Sequence, residues 1–228
     1  MTDFSYQYYS NCDKPKKWLF FLHGYNNSQE EMEHIYNNLL AKTNQLGIIA
    51  PIGSQVASAD NKRHSWWKIS GFDTEGKRLR PETSIEEIVL IYNQIGQISL
   101  ETADKMNAFI DKMQQIYNFD NNQTYIAGFS QGAMLGIWTA LTRKSPIQAC
   151  FSCSGLVVAD NLLAKKIVSK PKIYLMHGKQ DKQVMYKCLE YSFNTLKNLE
   201  VDTEAISFEN LTHEVNIKET EFMVSKIK

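Results

Sequence analysis

The chain has 228 residues, 43% of them hydrophobic and 22% charged, which suits a soluble globular protein with a sizeable core. Its 25 basic and 25 acidic residues cancel, and the basic ones are scattered, which argues against a nucleic-acid partner or an anionic membrane surface. No basic stretch followed by an apolar run opens the chain, and nowhere do about 18 apolar residues follow one another, so neither a targeting segment nor a transmembrane helix is expected.

Short apolar runs recur along the chain, each ended by a turn signal and followed by a helix-period stretch. The first, Trp18 to Leu22, precedes Ser28-x-x-Glu31, a capping box that opens a helix with Met32, Ile35, Leu39 and Leu40 at helical spacing. Gly47 to Ala50 is the second strand. From Pro51 to Ser99 the pattern is irregular, with Gly53, Gly71, Gly76, Pro81 and the pair Trp66-Trp67. Ser84 and Glu87 form another capping box there, so this region reads as a long loop plus one helix beside the site. Thr102 to Tyr117 is helical, with Met106, Phe109, Ile110, Met113 and Ile116 on one face. Strands Thr124 to Ala127, Ala149 to Ser152, Ile173 to Met176 and Glu204 to Phe208 follow. They alternate with helices at Gln131 to Leu141, Val184 to Leu196 and Glu219 to Lys226. Strands apolar on both faces, alternating with helices, predict an α/β fold: a mostly parallel central sheet with helices on both faces. No repeat or linker divides the chain, so residues 1–228 are expected to form one domain.

Of the four cysteines, Cys150 and Cys153 form a C-x-x-C inside a predicted strand, where residues three apart face opposite sides. With no second pair to complete a metal site, they read as core residues, and reduced thiols point to the cytoplasm.

The chemistry concentrates after strand ends, where ligands bind in such sheets. Gly128-Phe129-Ser130-Gln131-Gly132 is a G-x-S-x-G between a strand and a helix. This spacing lifts the serine hydroxyl on a strained turn, while the glycines let strand and helix pack closely. Against a helix-capping serine, that context favours a nucleophile at Ser130. A serine hydroxyl needs a general base, and the base needs an orienting acid. Among five histidines, His34 falls on a helix surface, His64 in the irregular region, and His23 and His177 in strand-end turns. His213 lies on the loop after the last strand, where a base can reach the nucleophile. Asp181 follows the strand Ile173 to Met176. Its rival Asp160 reads as a helix cap before Leu162 and Leu163. The order Ser130, Asp181, His213 is that of the α/β-hydrolases. The backbone N–H groups of Gln131 and of Tyr25, on the loop after the first strand, are the expected oxyanion donors.

Leu22-His23-Gly24, Gly128 to Ala133 and His177-Gly178-x-x-Asp181-x-x-Val184 together resemble the phospholipase/carboxylesterase family, which includes the acyl-protein thioesterases. Ala50-Pro51, Arg63 to Trp67 and Thr212-His213-Glu214 are similar to further signatures of that family. The resemblance implies the α/β-hydrolase fold and a Ser130–Asp181–His213 triad. It also implies hydrolysis of acyl esters or thioesters, including those of acylated proteins, with no metal or organic cofactor, and a homodimer as in many members. Two departures stand out. Tyr25-Asn26-Asn27-Ser28 replaces the family's glycine-containing loop, and Thr83 to Ile98 is longer than expected, implying a different acyl groove. Trp66 and Trp67 are candidates to line that groove, with core packing as the competing role. A lysophospholipase or peptidase-like hydrolase on the same triad, and a non-catalytic binding protein of the same fold, are the alternative readings.

Overall fold

The computed structural model describes residues 4–69 and 71–228. Six parallel strands form the body of a seven-stranded sheet: β2 (Lys17–Leu22), β3 (Leu46–Pro51), β6 (Thr124–Phe129), β7 (Ala149–Cys153), β8 (Lys172–Gly178) and β9 (Thr203–Phe208). Strand β1 (Tyr6–Ser10) joins antiparallel to β3, giving the order β1-β3-β2-β6-β7-β8-β9. Two short strands, β4 (Gln55–Val56) and β5 (His64–Ser65), pair apart from this sheet. The helices are α1 (Gln29–Lys42), α2 (Ile85–Asn93), α3 (Gly96–Tyr117), α4 (Gln131–Thr142), α5 (Asp160–Ala164), α6 (Lys187–Asn198) and α7 (Ile217–Lys226).

Side-chain alternation along β2 divides the core. Leu19 and Phe21 project to one face, against Ile35 and Leu39 of α1 and Met223 of α7. Phe20 and Leu22 project to the other, against Phe109 of α3, Trp138 of α4 and Leu196 of α6. Each fully buried side chain of this size contributes about 1.5–3 kcal/mol of burial free energy, so both faces must be covered for the sheet to persist. The C-x-x-C cysteines obey the same alternation: Cys150 packs into one core and Cys153 into the other, and burial pushes the Cys150 thiol up to about 12. Two thiols on opposite faces cannot share a ligand.

Several boundaries differ from the sequence reading for local reasons. β1 mixes tyrosines with polar residues along a half-exposed edge and carries no apolar run. α3 begins at Gly96, six residues before the predicted start, without a side-chain cap to announce it. α6 begins at Lys187, because Val184 is pinned in the preceding loop: its N–H donates to Asp181 Oδ1 (3.0 Å) and its carbonyl accepts from His177 Nε2 (2.7 Å). Asp160 is the first residue of α5, not its cap. Ala159, at φ 52°, occupies the cap position, and no side chain caps this helix. Both predicted capping boxes form, at Ser28/Glu31 and Ser84/Glu87.

Because β2, β6, β8 and β9 run in parallel, the loops that follow them emerge at one edge of the sheet. Tyr25, Ser130, Asp181 and His213 all lie on those loops. The 51–99 segment holds β4, β5, a short 3-10 turn at Lys77–Leu79 and α2, and Trp67, Arg78 and Tyr92 from it face the same edge.

Candidate active site

Ser130 stands between β6 and α4 at φ 54° and ψ −117°, a conformation that L side chains rarely adopt and that costs about 1–3 kcal/mol. The turn closes only because its neighbours lack Cβ atoms. A Cβ on Gly128 would overlap the Gly132 carbonyl, and one on Gly132 would overlap the carbonyls of Leu22 and His23. The tight crossing holds the Ser130 side chain at the N-terminus of α4, where the helix field favours negative charge.

The structure brings the three predicted residues into a chain of hydrogen bonds. Ser130 Oγ lies 2.9 Å from His213 Nε2, and His213 Nδ1 lies 2.7 Å from Asp181 Oδ2. The Phe129 ring flanks the imidazole at 4.8 Å between centroids. The Asp181 side chain is fully buried, and its other oxygen accepts the N–H groups of Gln183 (2.8 Å) and Val184 (3.0 Å). Burial alone would raise this carboxyl. Hydrogen bonds from His177, His213 and the Gln183 N–H outweigh it and hold the group well below the usual carboxylate range. An ionised Asp181 can only accept, so the network assigns the His213 proton to Nδ1 and leaves Nε2 free to accept from Ser130.

The residues of the two expected oxyanion donors line the same cavity as the serine. Gln131 is the first residue of α4, and its N–H has no intrahelical acceptor. Tyr25 sits in the β2–α1 turn, 42% exposed, in the wall of the cavity over Ser130. Asn26 takes the left-handed conformation at φ 54°, which asparagine tolerates better than most residues, so this turn forms without the family's glycine. Ser65 Oγ accepts the Asn26 N–H (3.0 Å), and Asn27 and His64 exchange backbone hydrogen bonds. His23 holds the turn from below. Its Nδ1–H donates to the Gly24 carbonyl (2.7 Å) and its Nε2 accepts from Gly53 N–H (2.9 Å). Burial lowers the His23 imidazole to about 4, so it stays neutral in this bracing role.

Both tryptophans are buried in the core, and Trp67 also lines the cavity; Trp66 is stacked on His23 with its Nε1 donating to the His23 carbonyl (2.8 Å). One feature the spacing could not show is the Gln131 side chain. It accepts from Trp66 N–H and donates to the Trp67 carbonyl, both at 2.9 Å, tying the irregular segment to the nucleophile turn.

Another is Glu219, third residue of α7 and fully buried. It accepts the Asn216 N–H (3.1 Å) in a capping box whose sequence signal is Asn216-x-x-Glu219, and its other oxygen has no partner. Burial, reinforced by the charges of Asp181 and Glu214 and opposed by the Asn216 N–H, pushes its carboxyl up to about 8. The folded state therefore keeps a proton that the unfolded chain releases near pH 4.3, and stability from this group falls as pH rises from there to about 8. Glu219→Gln keeps the shape and the acceptor without the titration. It should match wild type in urea unfolding near pH 4 and exceed it by about 4–5 kcal/mol at pH 8. A difference that does not vary with pH would mean that the carboxyl is not held protonated.

Among the described residues, no cluster of three or more metal-ligating side chains occurs, and no helix is long and apolar enough to cross a membrane.

This sheet, with its serine turn and hydrogen-bonded histidine, defines the α/β-hydrolase fold. The phospholipase/carboxylesterase family model matches residues 8–228, and the chain belongs to that family. A curated relative, acyl-protein thioesterase 1 homolog 1 of Dictyostelium discoideum, is 24% identical over 215 residues, 92% of this chain and 88% of that protein. The crystal structure of esterase PE8 is similar at a TM-score of 0.81 and 21% identity, covering 97% of this chain and 96% of that one. That of Arabidopsis thaliana SOBER1 is similar at 0.74 and 20%, covering 92% and 97%. Family membership supports ester or thioester hydrolysis as the class of reaction.

Proposed function

We propose that the protein is a serine hydrolase cleaving carboxylic acyl esters or thioesters through an acyl-Ser130 intermediate, the chain acting as one domain in the cytoplasm. The observation that carries this reading is the unbroken path from Asp181 Oδ2 through His213 to Ser130 Oγ, at 2.7 and 2.9 Å, ending on a serine in a strained turn.

In the first half-reaction His213 Nε2 takes the Ser130 proton as Oγ bonds to the acyl carbon. The oxygen of the tetrahedral intermediate is met by the N–H groups of Tyr25 and Gln131, each such donor being worth about 3–4 kcal/mol in the transition state. The bond to the leaving alcohol or thiol breaks, and that group receives the proton from His213. Water then gives a proton to His213 and attacks the acyl-enzyme; collapse returns the proton to Ser130 and frees the carboxylic acid. Every step uses groups of this chain and water. Trp67 forms part of the wall that the acyl group meets, and Trp66 positions the oxyanion loop through the His23 carbonyl.

The test is intact-protein mass spectrometry after exposure to a fluorophosphonate probe. A single adduct is expected, absent from Ser130→Ala and slowed at least about a hundredfold in His213→Ala, since general-base assistance is worth about 10²–10⁴. Folded wild-type protein that forms no adduct would refute an activated serine and favour a binding protein of the same fold.

A further inference from the structure

Among the described residues, the cavity over Ser130, about 390 Å³, has two arginines and no carboxylate in its wall. Arg63 stands at the rim, its side chain 45% exposed, donating to the Asn26 carbonyl (3.1 Å) and paired with Glu31. Arg78 is different. It belongs to the 3-10 turn at Lys77–Leu79, its side chain is only 17% exposed, and its Nε is fully buried without an in-line acceptor. Asp73 Oδ2 lies 3.2 Å from that Nε, and Asp73, itself buried, is held by the N–H groups of Lys77 (2.8 Å) and Arg78 (3.3 Å). Asp73 does not line the cavity, so it orients the guanidinium from behind. Tyr92 lies beside Arg78 in the same wall, and burial pushes its phenol up to about 12 against the pull of the Arg78 charge, leaving a neutral hydroxyl.

A guanidinium in this position is poorly matched to an alkyl chain. A methylene row laid against it would strip water from charged N–H groups and return no acceptor. A carboxylate or phosphate returns two oxygens in the planar fork geometry that arginine presents. Resting on the hydrolase reading above, we propose that the natural substrate carries an anionic group, a carboxylate or phosphate, which Arg78 binds while the acyl carbonyl lies at Ser130.

Two umbelliferyl esters of equal acyl length separate the cases: the glutarate monoester, ending in a carboxylate, and the pentanoate, ending in a methyl group. With spontaneous hydrolysis subtracted, wild type is expected to favour the glutarate ester about tenfold in kcat/KM, chiefly through KM. Arg78→Met should abolish that preference, Arg78→Lys should restore part of it, and about 0.5 M salt should narrow it in wild type. Calorimetry on Ser130→Ala with free glutarate and with inorganic phosphate shows which anion the site prefers, and adding Arg78→Met should remove the binding. Equal kcat/KM for the two esters in wild type, or a preference that survives in folded Arg78→Met, overturns the proposal. If Arg78→Met does not fold, Arg78→Lys and the salt dependence decide. Arg78-dependent glutarate binding without turnover of either ester would retain the anion site and remove the hydrolase reading instead.

Discussion

Ser130→Ala is expected to lower kcat for any ester substrate by about six orders of magnitude while leaving the fold intact, the scale typical of removing a serine nucleophile that works with its base as a unit. The fold survives because alanine meets the same backbone demand: both residues carry a Cβ at φ 54°, and neither relieves nor adds strain. The hydrogen bond lost is the one to His213 Nε2, on the loop before α7, and its absence leaves Asp181 and the Nδ1 contact in place. What remains on the proposed mechanism is His213 to assist water, together with the proposed Tyr25 and Gln131 N–H donors. Such residual sites retain only about 10³–10⁴ over the uncatalysed reaction. Initial rates of wild type and variant on a short-chain ester, with thermal midpoints measured alongside, check this. A folded variant keeping more than about a hundredth of wild-type activity would place the nucleophile elsewhere.

The geometry behind this expectation was largely legible in the sequence, because each of its parts is local. G-x-S-x-G encodes a strand, a turn and a helix within five residues, and the glycines it demands are those whose Cβ atoms would meet carbonyls of the turn and of the β2 end. The strand periodicity put Asp181 and His213 after neighbouring parallel strands, which suffices to bring them to one edge. Less legible were features that depend on a distant segment folding back. Arg78 is one of 25 basic residues, in a stretch without periodicity, and its place in the cavity wall depends on a 3-10 turn that no capping signal marks. The clamp of Gln131 on Trp66 and Trp67 spans some sixty-five positions of sequence. Asp160 reads as a cap because aspartate before leucines is the usual signal, whereas in the structure Ala159 in the left-handed conformation starts the turn. Glu219 carried its own signal, Asn216-x-x-Glu219, but nothing in spacing tells that a capping glutamate lies under the site and wholly out of water.

Asp181→Asn should lower kcat by about four orders of magnitude, more than its apparent conservatism suggests. The reason lies in which oxygen does what. Asp181 Oδ1 accepts two backbone N–H groups, from Gln183 and Val184, and these cannot move without unmaking the loop before α6. An asparagine must therefore keep its carbonyl oxygen on that side and turn its NH₂ toward His213. A donor now faces Nδ1, so Nδ1 must accept and the imidazole proton moves to Nε2, where it points at Ser130 Oγ. The base is then blocked by its own proton, and no acidic partner remains to stabilise the imidazolium formed during attack. The two effects act on the same step, so KM should change little while kcat falls. The native carboxylate also supports the fold. Because its folded pKa is depressed, its contribution is present above the ordinary carboxylate value and is lost as pH falls through the folded value. The variant should accordingly be less stable than wild type at neutral pH, and the gap should close in acid. A fall in kcat below about tenfold, in a variant that folds, would show that His213 reaches its working tautomer without Asp181.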